Sequence, residues 1–580
     1  MELVMRWRAF GEWHGDLHRR IGVSKDKEQA QGKKGHKKKW LLALAGVVAL
    51  VAIIIGPMVF QYYFPENDTD GRLKKATSLE ALYTLKQEKD GAHFTQLAQG
   101  YALTFPEKPT VRVHPSEAEV DFQLPDYRVR VFKQVVGKDT LPARHYFAYS
   151  TGTGKDDFGW LTNTRDHKIL RNEDFHLGMQ KGRLLVWDRP RLPALSDDAR
   201  HYCSIDIQTD AHTVMSYLFT AQKPFKNTDA LLDLVKSYQA VTPTVQPYVE
   251  PLGKTGPQHP VSNKTQYLFD KRFGERANLS WGIFQPSYAA FDYKDLRKTE
   301  KELGYRFNFI VHYSDFTRAD PATTIAPVLK QAAAEGRTVE LTLQTVDEED
   351  GSNQVYKVLN GKYDGYLKDY AKAIQDGGAP VLLRIGNEMN GDWCKYCAYH
   401  LSRDPEIYTA FYRYIADKLT EYGVGDQILY VWNPNNDSWP NYYWNYPGMY
   451  YPGDAYVDII GMTAYNTGTY YPSELWQDFG ALYDETYAHV QAAYRQPVMI
   501  TEFACSGIGG DKVAWTKEML KHLAGYKDLK VAIWWNYADY DPKDLETISR
   551  SYYIDQPKGM VDVWQDYFQT LPADKGSNRQ

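Results

Sequence analysis

Cysteine is scarce in this chain: four in 580 residues cannot supply a disulfide framework. Cys203 sits in an alternating run with Ile205 and Ile207 and reads as an inert core residue. Cys394 and Cys397 form one CxxC and Cys505 stands apart; no second CxxC or HxxxH completes a zinc site. A thioredoxin-like role lacks its sequence context. A disulfide among Cys394, Cys397 and Cys505 fits an oxidising exterior, with the pairing open. Positive charge is not in excess either. The net charge is −5 and the pI near 6.3, which gives no ground for general nucleic-acid binding. No Gly-rich phosphate loop follows an early strand, which argues against a doubly wound nucleotide-binding sheet. No metal-binding constellation is visible, and no metal or cofactor is expected.

What is present begins with one long apolar run. Residues 1–39 carry 11 Lys and Arg against 5 acids and end in KKGHKKK. Residues 40–60 contain no charge, a length that crosses a bilayer as one helix. Basic flanks stay inside. The expected topology is therefore a basic cytoplasmic tail (1–39), a single transmembrane signal-anchor (40–64) and a domain outside the cell membrane. Trp40, Tyr62 and Tyr63 sit where interfacial aromatics belong. A cleaved signal peptide fits less well: QYYF follows in place of a small-residue cleavage site.

Residues 71–98 read as a linker and then a helix, with Leu79, Leu82 and Leu85 on one face. Alternation predicts strands at 111–113, 127–131, 146–149, 202–207 and 214–219. An amphipathic helix at 229–238 opens at Thr228 or Asp229. Together 71–240 form an α+β module of one-domain size. Its opening GYALTFP and closing strand-plus-helix resemble photosystem-P/Mog1-like modules, and it contains no catalytic cluster. Prolines 243, 247, 251, 257 and 260 mark 241–262 as a stiff, extended linker. From 263 to 572 strands and helices alternate, with strands expected at 279–284, 307–312, 338–343, 381–385, 427–432, 457–462, 498–501 and 531–535. Helices are expected at 293–303, 322–335, 363–375, 405–422, 474–494 and 513–524. Eight such units in about 310 residues are the size of a (β/α)₈ TIM barrel.

Two strands end in glutamate: VLLRIGNEMNG places Glu388 after strand 4, and PVMITEF places Glu502 in strand 7. Side chains at the C-terminal strand ends of such a barrel enter its active site. A pair of carboxyls there is what hydrolysis of a glycosidic bond requires, one as acid and then base, the other as nucleophile. Position alone is weak, since these are two of 73 acidic residues.

The context is more specific. WGIF (281–284), RIGNEMNGDW (384–393), VWNPN (431–435), YYPGDAYVDIIGMTAYN (450–466) and ITEFA (500–504) occur in order. In these stretches residues 280–540 resemble glycoside hydrolase family 26, the β-mannanase family of the clan of barrel glycosidases. The resemblance implies Glu388 as acid/base, Glu502 as nucleophile and Tyr465 as the residue that orients Glu502. It departs at Asn387, where the family usually has His. The wider clan uses Asn there, to hydrogen-bond the sugar 2-hydroxyl, so a mannan substrate does not follow from the resemblance. Gln344-Thr345, at the end of strand 3, has no clear counterpart.

Further substrate-binding candidates are His312, Trp393, Trp439, Trp534 and Trp535. Alternation lets only one of the last two face the barrel mouth, and Trp535 is favoured. His312 reads equally as a sugar ligand or as a satisfied structural histidine. Trp439 lies in an aromatic loop after strand 5 with Tyr442, Tyr443, Trp444 and Tyr446, and such loops either fold on themselves or serve as sugar platforms. The expectation is a membrane-anchored retaining β-glycosidase, β-mannanase-like and endo-acting, on an extracellular polysaccharide. The alternatives are a β-glucanase, a hydrolase trimming an exopolysaccharide during export, or a non-catalytic glycan-binding component of polysaccharide secretion machinery.

Overall fold

The computed structural model describes residues 73–571 except 117–118, 136–145, 148–158, 196, 249, 287–292 and 317–318. The basic tail and the apolar run at 40–64 lie outside the described residues. Among the described residues no helix is long and apolar enough to cross a membrane.

Eight parallel strands close a barrel in chain order. Strands 1 to 8 are Ser280–Phe284, Phe309–Asp315, Thr338–Gln344, Val381–Ile385, Ile428–Trp432, Ile459–Asn466, Val498–Cys505 and Leu529–Trp535. Strand 1 pairs with strand 8, Ser280 against Val531 and Phe284 against Trp535. Both faces of these strands are covered, which is why they read as almost unbroken apolar runs. Gly282 is needed where strand 1 meets its neighbours: a Cβ there would lie 2.8 Å from side-chain atoms of both Ile533 and Phe309.

Alternation sorts the strand residues into two sets. Phe309, Val311, Leu382, Val431, Met499 and Ile533 form the interior cluster. Ile310, Leu341, Leu383, Ile460 and Trp534 face the helices. Helix Asn263–Arg272 opens with Ser262, whose Oγ accepts from Thr265 N at 3.3 Å. Its Phe269 and the following Phe273 pack into the interior cluster and stopper the N-terminal end of the barrel. The other end carries the strand termini and the loops. The expected helix at 322–335 is two helices, Pro321–Thr324 and Ala326–Ala334. Pro327 cannot donate to the preceding turn, so the helix restarts there.

The module consists of a four-stranded sheet, a seven-stranded antiparallel sheet and helix Asp229–Lys236. The helix expected through Leu79, Leu82 and Leu85 is not formed. A 3-10 turn at Leu79–Leu82 leads into the hairpin Tyr83–Glu88 and Gly91–Gln96. Lys89-Asp90 and Gly91 outweigh the leucine spacing: Gly91 has φ +143, and a Cβ on it would lie 2.4 Å from Phe105 O. Tyr146 and Phe147, expected in a strand, are helical. Tyr146 packs edge-on against Tyr442 of the barrel.

The segment 241–262 is extended but is not a free spacer. Val241 N donates to Gly100 O at 3.1 Å and Thr244 N to Leu97 O at 2.9 Å, while Leu252 N reaches Ala493 O of the barrel. The module also grips the loop that follows strand 4. Arg403 pairs with Asp206 at 2.8 Å and Arg130 with Asp404 at 2.9 Å, all four side chains buried. Trp187 Nε1 donates to Ser402 Oγ at 3.1 Å. Ser402 and Arg403 have φ of 61 and 56. Such values are strained for residues with a Cβ, and surrounding contacts must hold them.

Candidate active site

Strand alternation places a polar layer above the apolar interior. Arg384, fully buried on strand 4, is its hub. Its Nε donates to Thr342 Oγ1 at 3.0 Å and lies 2.7 Å from Glu340 Oε1. Its Nη1 donates to Asn433 Oδ1 at 3.0 Å, and its Nη2 lies 3.3 Å from Glu502 Oε2. Asn433 in turn accepts from Thr501 Oγ1 at 3.0 Å, and its carbonyl accepts from Glu388 N at 2.7 Å. One guanidinium and one amide thus tie the two expected catalytic glutamates to a common frame.

Glu388 follows strand 4 in the left-handed region, φ 55, after Gly386 at φ 56. A Cβ on Gly386 would lie 2.9 Å from the Tyr408 ring. The strained turn swings Glu388 over the barrel mouth, where Asn435 Nδ2 donates to its Oε1 at 2.5 Å. Burial pushes the Glu388 carboxyl up, while the Asn435 amide, the Arg384 charge and the Trp393 indole oppose the rise. A carboxyl whose neutral form is favoured in this way is suited to giving a proton to a leaving group.

Glu502 reaches the interior through a bulge. Met462 pairs with Ile500 but Thr463 pairs with Glu502, so one residue of strand 7 is extra. Bulges re-aim side chains in this manner. Thr501 and Glu502 both point inward as a result, and Phe503 returns to the helix side against Trp281 and Trp534. Glu502 Oε2 accepts from Tyr313 Oη and from Arg384. Its Oε1 has no hydrogen-bond partner among the described residues. Burial pushes Glu502 up to about 8; the phenol and the guanidinium on Oε2 act in the opposite direction. A carboxylate with one oxygen anchored and the other free is poised for nucleophilic attack.

An open cleft above Glu388 is lined by Trp393, Asn435, Trp439, Tyr465, Glu474, Trp535 and Asp539, among others. It contains no Lys, Arg or His among the described residues. Glu502 is not in its lining and is 1% exposed, beneath the floor. A hairpin after strand 8, Ala538–Asp541 with Asp544–Ser551, forms one wall. There Arg550 binds Glu474 at 2.6 Å and Asp539 at 3.0 Å.

The other candidates divide. Trp535 stacks on Phe284, 5.1 Å between centroids, and faces the cleft. Trp534 is fully buried, donates to Tyr552 O at 2.8 Å and packs on Trp564, so it does not reach the site. Trp393 and the exposed Trp439 line the cleft. Tyr465 lines it too, edge-on to Trp535, while the hydroxyl that meets Glu502 comes from Tyr313. His312 is displaced from the site by parity. Its neighbour Tyr313 faces inward, and His312 contacts the backbone of Thr324 on the helix side, where burial pushes it down to about 4. Asn387 Oδ1 accepts from Gln344 Nε2 at 2.8 Å, and its carbonyl accepts from Tyr396 Oη at 2.7 Å. Residues that the sequence reading left without a role are Arg384, Asn435, Tyr313 and Gln344. The first two lie inside the motifs quoted for the resemblance; alternation from Phe309 and Val311 would have found Tyr313.

The cysteines are free and buried. Cys394 Sγ contacts Asn387 O at 3.6 Å and Cys397 Sγ contacts Asn445 Oδ1 at 3.4 Å. Cys505 lies on strand 7, where Asn466 Nδ2 donates to it at 3.4 Å. The disulfide that an oxidising exterior allowed is therefore not formed.

Comparison with known proteins bears on this site. The family model "Glycosyl hydrolase family 26" matches residues 320–502. Endoglucanase H of Acetivibrio thermocellus is 33% identical over 183 residues, 31% of this chain and 20% of that protein. Mannan endo-1,4-beta-mannosidase of Bacillus subtilis is 29% identical over 108 residues, 18% of this chain and 28% of that protein. The matches thus span less than a third of the length of these relatives. A solved double mutant of the Cellulomonas fimi endo-beta-1,4-mannanase superposes with a TM-score of 0.41 at 16% identity, covering 54% of this chain and 76% of that one. The matched stretch runs from the helix after strand 2 to Glu502 and includes Arg384, Glu388 and Asn435, and over it the barrel of this chain is similar to glycosyl hydrolase family 26.

Proposed function

We propose that this protein is a retaining, endo-acting β-glycosidase that cuts a neutral β-linked polysaccharide. The observation that carries the reading is the unequal treatment of two buried carboxyls. Glu388 is held at the mouth by Asn435, while Glu502 is anchored through one oxygen with the other unpartnered among the described residues. In the first step Glu502 Oε1 attacks the anomeric carbon as Glu388 protonates the departing glycosidic oxygen. In the second, Glu388 takes a proton from water, which attacks the same carbon and releases Glu502. Arg384 and Tyr313 stabilise the charge on Glu502 before attack. Trp535 supplies an apolar platform for a sugar ring.

The open cleft supports internal cleavage, and the lack of cationic side chains among its described residues supports an uncharged glycan over a uronate-rich one. Mannan and glucan both stand as substrates. The B. subtilis relative is named for mannan and the A. thermocellus relative as an endoglucanase, and Asn387 departs from the mannanase family's usual His. Tyr465, beside Trp535, is assigned to sugar contact or to steadying Glu502. We place the enzyme at the outer face of the cell membrane on the strength of residues 1–64, with trimming of an exported polysaccharide as one use of that location.

The test is hydrolysis by the chain from residue 66 onward, with mannan, mixed-linkage glucan, cellulose derivatives and the producer's own exopolysaccharide. Glu388→Gln and Glu502→Gln should each fold and lose nearly all activity. Azide should partly rescue Glu502→Gly and yield a glycosyl azide of inverted configuration. Near-normal turnover in either Gln variant rejects the assignment.

A further inference from the structure

Beneath the cleft lies an acid that the reaction does not call for. Glu340, on strand 3, points into the barrel with no exposed surface. Its Oε1 is 2.7 Å from Arg384 Nε, and the same guanidinium reaches Glu502 Oε2 at 3.3 Å through Nη2. Thr342 Oγ1 stands at 3.5 Å from Glu340 Oε1, the limit of a hydrogen bond. Oε2 of Glu340 and Oε1 of Glu502 have no hydrogen-bond partner among the described residues. Two buried carboxyls therefore share one buried cation.

The charge count restricts what this triad can do. With both acids ionised it carries a net −1, with both protonated a net +1, and with a single proton it is neutral. Desolvation penalises both charged forms, so one proton is shared by two carboxyls that titrate as a unit. Few other charges intervene. Arg384 is the charged group that acts on Glu340. Arg384 also feels Glu388 and the Tyr465 phenol at longer range, and Tyr313 faces Glu502. Burial raises the carboxyls of both Glu340 and Glu502 above the usual carboxylate range. Donor geometry differs between them: Arg384 stands nearer Glu340 (2.7 Å) than Glu502 (3.3 Å), but beyond Arg384 Glu502 Oε2 has the Tyr313 hydroxyl and Glu340 Oε1 has the long Thr342 contact.

We propose that Glu340 is the counter-carboxyl of the nucleophile, holding the shared proton when Glu502 attacks so that the Arg384 charge is given to Glu502. One proton leaves Glu502 and one arrives on Glu340, and nothing is oxidised or reduced. This rests on the reading of Glu502 as nucleophile. In it Glu340 is a positioning residue that acts through Arg384 and touches no sugar.

The experiment titrates ¹³C-carboxyl-labelled glutamates by NMR in the wild-type chain, Glu340→Gln and Glu502→Gln, with thermal melts as the check on folding. Removing one competitor leaves Arg384 wholly to the other. The Glu502 midpoint should fall by about one pH unit or more in Glu340→Gln, and the Glu340 midpoint should fall likewise in Glu502→Gln. The acid limb of kcat/KM should follow Glu502 downward in Glu340→Gln. Midpoints unmoved in folded variants overturn the pairing, because a merely structural Glu340 would shift stability and leave them in place. If Glu340→Gln does not fold, the Glu340 midpoint in Glu502→Gln decides alone. If the wild-type chain cleaves no glycan, the functional reading fails while the reciprocal shifts still decide the pairing.

Discussion

Gln344 donates its side-chain amide to Asn387 Oδ1 at 2.8 Å. The two positions at which this chain departs from its family resemblance are thus in contact. With its oxygen taken, Asn387 has its amide nitrogen to offer as a donor to a sugar hydroxyl.

Asn387→Ala should therefore lower kcat more than it raises KM, since a bond to the reacting sugar strengthens in the transition state. Gln344→Ala should reproduce part of that loss, about tenfold in kcat, which corresponds to about 1.4 kcal/mol for one misdirected hydrogen bond. Asn387→His should change the ratio of kcat/KM between manno- and gluco-configured oligosaccharides. Unchanged kcat/KM for both sugars in all three variants would remove Asn387 and Gln344 from the list of specificity determinants.

The pH profile tests Asn435. Its amide favours the charged form of Glu388, against a burial that raises the carboxyl above its usual range. Activity needs Glu388 protonated at the first step, so the alkaline limb of kcat/KM reports this group. Asn435→Ala removes a lowering influence and should move that limb to higher pH. A limb that stays put, or moves down, contradicts the assignment.

Trp534 and Trp535 should respond in opposite ways. Trp535→Ala removes a surface of the cleft and should raise KM and lower kcat with a near-native melt. Trp534→Ala opens a void against Trp564 and Phe503, and large-to-small changes of this kind cost about 3–5 kcal/mol. Thermal unfolding of the two variants side by side separates platform from core.

The module should prove inseparable from the barrel. Asp206→Ala leaves Arg403 buried without its partner and should cost about 3–5 kcal/mol. Asp206→Leu combined with Arg403→Met removes both charges and should recover much of that loss. A barrel fragment beginning at 262 exposes Arg403 and Asp404, and should melt well below the chain from residue 66 in differential scanning fluorimetry.

Much of the barrel was legible because each strand is a short apolar run bounded by turn residues. Strand 4 matches its expected span, and the other strands overlap theirs and differ at the first residue, the last or both. The inward set was legible in principle too: counting by twos from Val311 gives Tyr313, and from Leu382 gives Arg384. His312 was left open between sugar ligand and structural histidine because strand position was weighed without parity. Glu502 runs the other way. Strict alternation from Met499 turns it outward, and only the bulge at Thr501 brings it in. The hairpin at 83–96 was hidden because three leucines at helical spacing drew more weight than the Asp90-Gly91 turn. Docking of the module had no local signature, since Asp206 and Arg403 are 197 residues apart.

The extended segment 241–262, tied to the module at one end and the barrel at the other, has a consequence for reach. Module and barrel turn together, and on the proposed anchoring eight residues, 65–72, separate the segment that ends at 64 from the first described residue. Eight residues of chain span at most about 30 Å. On the proposed anchoring the catalytic mouth patrols a thin shell around its own cell, and a soluble polymer beyond that shell is cut only if it drifts into it.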